Sequence, residues 1–269
     1  MPPDLRQRYL DLMEKTLTGM ILRDPPLVTP SYRDYFRGMA RLLSGGAEPD
    51  GDIPAGFQEA WRIKGLDQPS LALTMVGLKR LRNFRDLIER AIVDRIPGDI
   101  IETGVWRGGA SIMAKAVLDA WGETGRRVFV ADSFAGLPPP DAAYPVDMDS
   151  QLHTESQLVV TLDEVRHNFE AAGVLDERVV FLEGWFKDTL PDAPCERLAV
   201  IRLDGDMYES TLTPLNALHD RLSPGGFVIV DDYWVPSCRA AVHDFLDSRG
   251  LRPNLVVVDE MFAWFRKDA

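Results

Sequence analysis

The sequence predicts an α/β fold, a mostly parallel doubly wound sheet with an antiparallel hairpin at one edge and a helical extension in front of it. Three observations predict this. From Ile96 onward, the short apolar runs DIIETG, RVFVAD, RVVFLEG, RLAVIRLDGD and GGFVIVDD alternate with amphipathic stretches of helical length. Strands alternating with helices require βαβ crossovers into a parallel sheet covered on both faces. Two final strand-like runs, within NLVVVD and FAWF, are separated only by Asp259 and Glu260, a link too short for a parallel crossover, so they pair antiparallel. Before Ile96, apolar residues recur at helical spacing instead.

In the extension, Leu5, Tyr9, Leu12, Met13, Leu17 and Met20 predict one amphipathic helix over residues 4–22, capped by Asp4 and stopped by Pro25 and Pro26. A weaker helical pattern over Tyr32–Leu43 gives way to SGGAEPDGDIPAG, Ser44–Gly56, whose Gly, Pro and Asp content predicts a flexible loop. From Ser70, the set Met75, Leu78, Leu81, Ile88 and Ile92 predicts a last helix over 70–93, with Lys79, Arg80, Arg82 and Arg85 mostly on its other faces. In the sheet region, Thr161 and Glu164 form a capping-box pair before a helix that Gly173 stops, and Pro236 opens a helix that Gly250 ends. The chain thus divides into a helical extension, residues 1–95, and a sheet domain, residues 96–269. The apolar surface of helices 4–22 and 70–93 exceeds what one sheet edge covers, which predicts a cap with homodimer contacts.

With 269 residues, 45% hydrophobic and 27% charged, the chain has ordinary globular composition and room for a full core. No run approaches the roughly 18 apolar residues of a membrane span. The formal net charge of −12 repels phosphate backbones and anionic lipid, which argues against nucleic-acid and membrane partners. The N-terminus MPPDLRQRYLDLMEK lacks an apolar secretion core, and two cysteines, Cys195 and Cys238, make no disulfide framework or metal spacing. A reduced, cytoplasmic location is expected, with both thiols as packing residues.

Ligands of open α/β sheets sit beyond the carboxyl ends of the strands, so the residues there are the candidates for function. The first strand ends in Glu102-Thr103-Gly104-Val105-Trp106-Arg107-Gly108-Gly109-Ala110-Ser111, where glycines suit either close approach of a nucleoside-containing ligand or a merely tight turn. Trp106 removes the middle glycine of the dinucleotide fingerprint. Asp132 ends the second strand, where an acid can accept hydrogen bonds from both ribose hydroxyls or cap the next turn. Phe134, after Ser133, and Trp185, just past the third strand, are aromatic and suit either adenine stacking or core packing.

The strongest signal is carboxylate. Leu203-Asp204-Gly205-Asp206 and Val230-Asp231-Asp232 end two strands expected to neighbour each other at roughly 4.8 Å. Four such acids repel unless neutralised, and a hard divalent cation such as Mg²⁺ does this with oxygen ligands; the alternative is that some of them cap helices.

These segments carry a resemblance. ETGVWRGGAS, ADSFAGLP, EGWFKDTLP, RLDGDMYEST and LSPGGFVIVDDY, with LTMVGLKRL upstream, resemble the macrocin O-methyltransferase family (TylF/MycF-type sugar O-methyltransferases) over about Leu73 to Ala241. The resemblance implies a class I methyltransferase sheet and a homodimeric enzyme using S-adenosylmethionine and Mg²⁺, with Mn²⁺ as a substitute. The implied acceptor is a sugar hydroxyl of a glycosylated natural product. By the same resemblance Asp204, Asp231 and Asp232 are metal ligands and Asp206 is the general base. The cofactor contacts it implies are Thr74, Met75, Glu102, Gly104, Trp106, Gly108, Ser111, Asp132, Ser133, Gly184 and Trp185. Its metal logic serves vicinal aromatic hydroxyls equally, so a phenolic or catechol acceptor is the alternative. A nicotinamide-dependent oxidoreductase shares the sheet but leaves the acid doublets unexplained. His167, His219 and His243 fall on predicted helices as surface or packing residues. His153 lies in the long stretch between Asp132 and Thr161, which exceeds an ordinary βα loop and is read as a lid with His153 near substrate.

Overall fold

A computed structural model describes residues 1–27, 56–259 and 261–268. The stretch Tyr32–Leu43 and the loop predicted from Ser44, apart from Gly56, lie outside them.

The first helix, α1 (Pro3–Leu17), ends earlier than residue 22, because Gly19 at φ +68° turns the chain and the Gly19 and Met20 amides donate back to Thr16 and Lys15 carbonyls. Pro2 is the N-cap, and Asp4 sits in the first turn without capping it. A short helix, α2 (Glu59–Lys64), follows, and α3 runs over Gly77–Val93. Residues 70–76 are therefore not helical as expected. The Asp24 carboxylate accepts from Ser70 Oγ at 2.6 Å and from the amides of Leu71 and Ala72 at 2.9 and 2.8 Å, which satisfies those donors without a helix. The Leu73 and Thr74 amides then donate to the Leu17 carbonyl, tying the segment to α1.

The sheet domain runs β1 (Asp99–Thr103), α4 (Gly109–Trp121), β2 (Val128–Asp132), α5 (Leu162–Ala171), β3 (Val179–Glu183), α6 (Phe186–Thr189), β4 (Leu198–Leu203), α7 (Tyr208–Leu218), β5 (Leu222–Val230), α8 (Pro236–Ser248), β6 (Val256–Val257) and β7 (Ala263–Arg266). Its seven strands lie in the order β3-β2-β1-β4-β5-β7-β6. β1 to β5 are mutually parallel, while β7 pairs antiparallel with both β5 and β6, so the expected hairpin forms the edge. β1 and β4 are buried at every residue, and in β4 this gives a run, LAVIRL, that is apolar but for Arg202, while β1 buries Asp99, Glu102 and Thr103 beside Ile100 and Ile101.

One face of the sheet packs against α1, α3, α4 and α5 and the other against α7 and α8, so the N-terminal helices enter the same core as the sheet. Arg85 of α3, expected on an outer face, is buried and pairs with Asp11 and Glu14 of α1 at 2.9 and 3.0 Å. Cys195 and Cys238 are free and buried. His219 is buried beside Phe245, His167 is exposed, and His243 shares a hydrogen bond with the Tyr233 hydroxyl. No helix among the described residues is long and apolar enough to cross a membrane.

The stretch between β2 and α5 carries three short 3₁₀ turns and crosses the carboxyl edge of the sheet as a strap. Asp147, buried, accepts hydrogen bonds from the Tyr208 and Glu209 amides at 2.9 and 3.1 Å, capping α7 from outside its own chain segment. At the other end, the Trp106 indole donates to the Gln157 carbonyl at 3.0 Å.

Candidate active site

A cavity of about 670 Å³ opens at the carboxyl ends of β1 to β5, where strand topology reverses between β1 and β4. Thr74, Met75, Glu102, Gly104, Trp106, Asp132, Ser133, Gly184 and Trp185 line it, together with Asp204, Asp206, Asp231 and Asp232. Thirteen expected residues thus share one space.

Three expected site residues stand elsewhere. Gly108 faces the protein: a Cβ there would lie 2.8 Å from Val165 Cγ1 and 3.3 Å from Phe169, so packing against α5 requires its glycine. The Ser111 hydroxyl is buried and donates to Glu102 Oε2, which makes it a support for that carboxylate. His153 is exposed and outside the lining, whereas its strap neighbours Leu152, Glu155, Gln157 and Leu158 face the cavity. Phe134 is buried edge-on against Phe181, in the packing role, whereas Trp185 lines the cavity, as do Trp106 and Phe186.

Several lining residues already have partners within the chain. Asp132 Oδ2 accepts from the Val105 amide at 2.8 Å and Oδ1 from the Phe134 amide at 2.9 Å, so this carboxylate holds both adjoining turns. Burial nevertheless raises its pKa against these backbone donors. Gly104 at φ +85° lets the β4 end pass, since a Cβ there would lie 1.7 Å from the Asp204 carbonyl oxygen. Glu102 is gripped by Ser111 and Arg202, and burial lifts it to about 7 against the pull of that arginine.

The acids form a centre with internal structure. Carboxylate oxygens of Asp204, Asp231 and Asp232 all lie within 4.8 Å of one another, the sole such grouping among the described residues, and Asp206 stands outside it. Asp206 takes a left-handed φ of +59°, so β4 does not continue through it, and its amide donates to Asp232 Oδ2 at 3.0 Å. Two arginines enter that were not expected here. Arg202 Nη1 donates to Asp204 Oδ2 at 2.8 Å and Nη2 to Asp231 Oδ1 at 2.6 Å, while Arg80 Nη1 donates to Asp231 Oδ2. Desolvation raises Asp204 to about 6, where Arg202 opposes and Asp231 adds repulsion. Desolvation also raises Asp206 to about 7, with Asp204 and Asp231 adding repulsion, and it drives Asp232 well above the usual carboxylate range. Four carboxyl groups crowd against two guanidiniums that Glu102 and Asp259 also share, so the centre is rich in oxygen donors and short of positive charge. An all-oxygen trio of carboxylates suits a hard divalent cation such as Mg²⁺.

A family model described as macrocin-O-methyltransferase (TylF) matches residues 6–267. The chain belongs to the macrocin O-methyltransferase family. It is 49% identical, over 100% of its length and 96% of the relative's, to the 8-demethyl-8-(2,3-dimethoxy-alpha-L-rhamnosyl)-tetracenomycin-C 4'-O-methyltransferase of Streptomyces olivaceus. It is 43% identical to the mycinamicin III 3''-O-methyltransferase of Micromonospora griseorubida, over 97% of this chain and 96% of that one. The solved structure of the O-methyltransferase NovP superposes with a TM-score of 0.86 at 40% identity, covering 98% of this chain and 100% of that one. This methyltransferase therefore has the class I sheet that its strand pattern predicts, and it is an O-methyltransferase by family.

Arg80, Arg202 and Asp147 were missed from the sequence. Arg202 did leave a signal, a charged residue inside the apolar run RLAVIRL, where an unpaired guanidinium is too costly to bury.

Proposed function

We propose that this enzyme transfers the methyl group of S-adenosylmethionine to a sugar hydroxyl of a glycosylated, antibiotic-type natural product, with Mg²⁺ or Mn²⁺ held by Asp204, Asp231 and Asp232. The observation that carries the reading is the trio of carboxylates beside the separate Asp206, in one cavity with the nine lining residues that suit a cofactor. The relatives' substrates support it, being a rhamnosyl tetracenomycin, mycinamicin III and, for an enzyme of Streptomyces niveus at 42% identity, demethyldecarbamoylnovobiocin.

When bound, the cofactor supplies an electrophilic methyl group and the cation supplies positive charge beside the acceptor hydroxyls. A sugar hydroxyl keeps its proton far above neutral pH, so a base must take it as the methyl is transferred. Asp206 fills that role: it faces the cavity, lies outside the metal trio, and burial beside Asp204 and Asp231 raises its affinity for a proton. Thr74, Met75, Trp106, Ser133, Gly184 and Trp185 seat the cofactor, and the carboxylates of Asp132 and Glu102 offer their remaining lone pairs to it. The strap closes the cavity against water.

The same reading makes residues 1–95 a helical cap with homodimer contacts, supported by Leu5 and Leu12 of α1, seven residues apart and 52% and 55% exposed. It places the enzyme in the cytoplasm, in keeping with two unpaired thiols. The test is methyl transfer from labelled S-adenosylmethionine to a glycoside panel and a catechol panel, each with and without EDTA. Transfer to glycosides that chelation abolishes is expected. Transfer to catechols alone, or full turnover in chelator, overturns the reading.

A further inference from the structure

Arg80 is 7% exposed, while Arg82 on the same helix keeps 49% of its side chain in solvent. The guanidinium occupies a built seat. Nη1 donates to Asp231 Oδ2, and Nη2 reaches the carbonyls of Gly65 at 3.2 Å and Lys64 at 3.4 Å, where α2 ends. Gly65 has φ +66°, and a Cβ on it would lie 2.4 Å from Arg80 Nη2 and 2.5 Å from the Val76 carbonyl oxygen, so the seat exists because residue 65 is glycine.

The other oxygen of Asp231 is held by Arg202. Asp231 thus has each oxygen on a different guanidinium, whereas Asp204 pairs with Arg202 alone and Asp232 accepts from a backbone amide. The two arginines are not equivalent. Arg202 is bound on three sides, to Glu102, Asp204 and Asp231, within the sheet. Arg80 lines the cavity and keeps two carbonyl acceptors when it lets go of Asp231. A divalent ion brought to that carboxylate meets a fixed positive charge within a few ångströms, and in a shielded site like charges so close repel strongly.

We propose that Arg80 is the resident counterion of Asp231, holding the acid centre together while the metal is away and competing with the cation for that carboxylate. The inference rests on the metal reading above and adds to it that the chain itself weakens its own metal site, so that the cation exchanges.

The test is Mn²⁺ titration of chelator-stripped protein, followed by paramagnetic resonance. Arg80→Met and Arg80→Gln remove the competing charge and bind Mn²⁺ at least tenfold more tightly than the unsubstituted chain, while Arg80→Lys stays within about threefold of it. Melting curves establish that each variant is folded. Equal or weaker binding by folded neutral variants, with binding intact in the unsubstituted chain, overturns the inference and leaves the metal reading standing. No Mn²⁺ binding by any form removes both. Should neither neutral variant fold, ¹⁵N spectra of the arginine side chains in the unsubstituted chain, with the Arg80 signals assigned by comparison with Arg80→Lys, decide: Mg²⁺ shifts the Arg80 guanidinium signals as the Asp231 contact is lost, and Arg80 signals unchanged at saturation overturn the inference.

Discussion

Glu102 of β1 and Arg202 of β4 occupy the same rung of the sheet and meet as an ion pair, each side chain 2% exposed. Through Ser111 on one side and Asp204 and Asp231 on the other, this rung joins the cofactor half of the cavity to the acid centre. Removing one member of a buried pair strands the other charge. Arg202→Met is expected to cost about 3–5 kcal/mol of stability on that scale. Glu102→Gln, which keeps an acceptor, should cost less. In urea unfolding, the double variant should be more stable than the sum of the two losses, because it strands fewer charges; strict additivity would show that the rung is not a unit.

A pH dependence follows from the raised carboxyls. Glu102 and Asp206 sit at about 7 and Asp204 at about 6 in the folded chain, against about 4 for free carboxyls. The folded state therefore binds these protons more tightly than the unfolded state, and stability falls as pH rises from about 4 to about 7, then levels off. Melting points of chelated protein should drop across that window, and Asp206→Asn should flatten the drop. An undiminished slope in the variant would mean that Asp206 is not raised. Added Mg²⁺ should stabilise more at pH 7.5 than at pH 5, since protons compete for the same oxygens.

Asp204 and Asp206 look interchangeable in the motif but stand differently in the fold. Asp204→Asn should lose Mn²⁺ affinity together with turnover. Asp206→Asn should keep cation and cofactor binding while kcat falls by about 10²- to 10⁴-fold, the scale of a lost general base. Paramagnetic titration of both variants checks this, and the reverse pattern would exchange their roles.

Asp147→Ala uncaps two amides of α7 and should destabilise the chain by about 1–2 kcal/mol. It should also speed proteolysis within residues 133–160, because the strap loses its anchor. Unchanged cleavage there would mean that other contacts fix the strap.

The sheet was legible because its central strands are buried and most of its strands read as short apolar runs, and the candidate site was legible because topology puts strand ends in one place. That rule alone brings Asp132, Asp204, Asp231, Asp232 and Trp185 to the cavity wall. The errors have local causes. Residues 70–76 carry a helical pattern, but a carboxylate 46 to 48 positions away takes their donors. Gly108 reads as a ligand glycine until α5 is seen against it. Arg80 and Arg202 depend on partners 151 and 100 positions distant, Asp231 and Glu102, and no periodicity reveals such pairs. His153 lies in the right segment, but which residues of an irregular strap face inward is set by its three turns.

The external cap on α7 bears on attempts to redirect this enzyme to new acceptors by loop exchange. Residue 147 terminates the dipole of a helix it does not belong to, so the strap is not a detachable module. A donor segment transplanted into residues 133–160 must bring an acceptor at that position or arrive together with its own version of residues 207–209. Chimeras that respect this pairing keep a capped start to α7; those that cut between the two pieces leave a frayed helix start beside the acid centre.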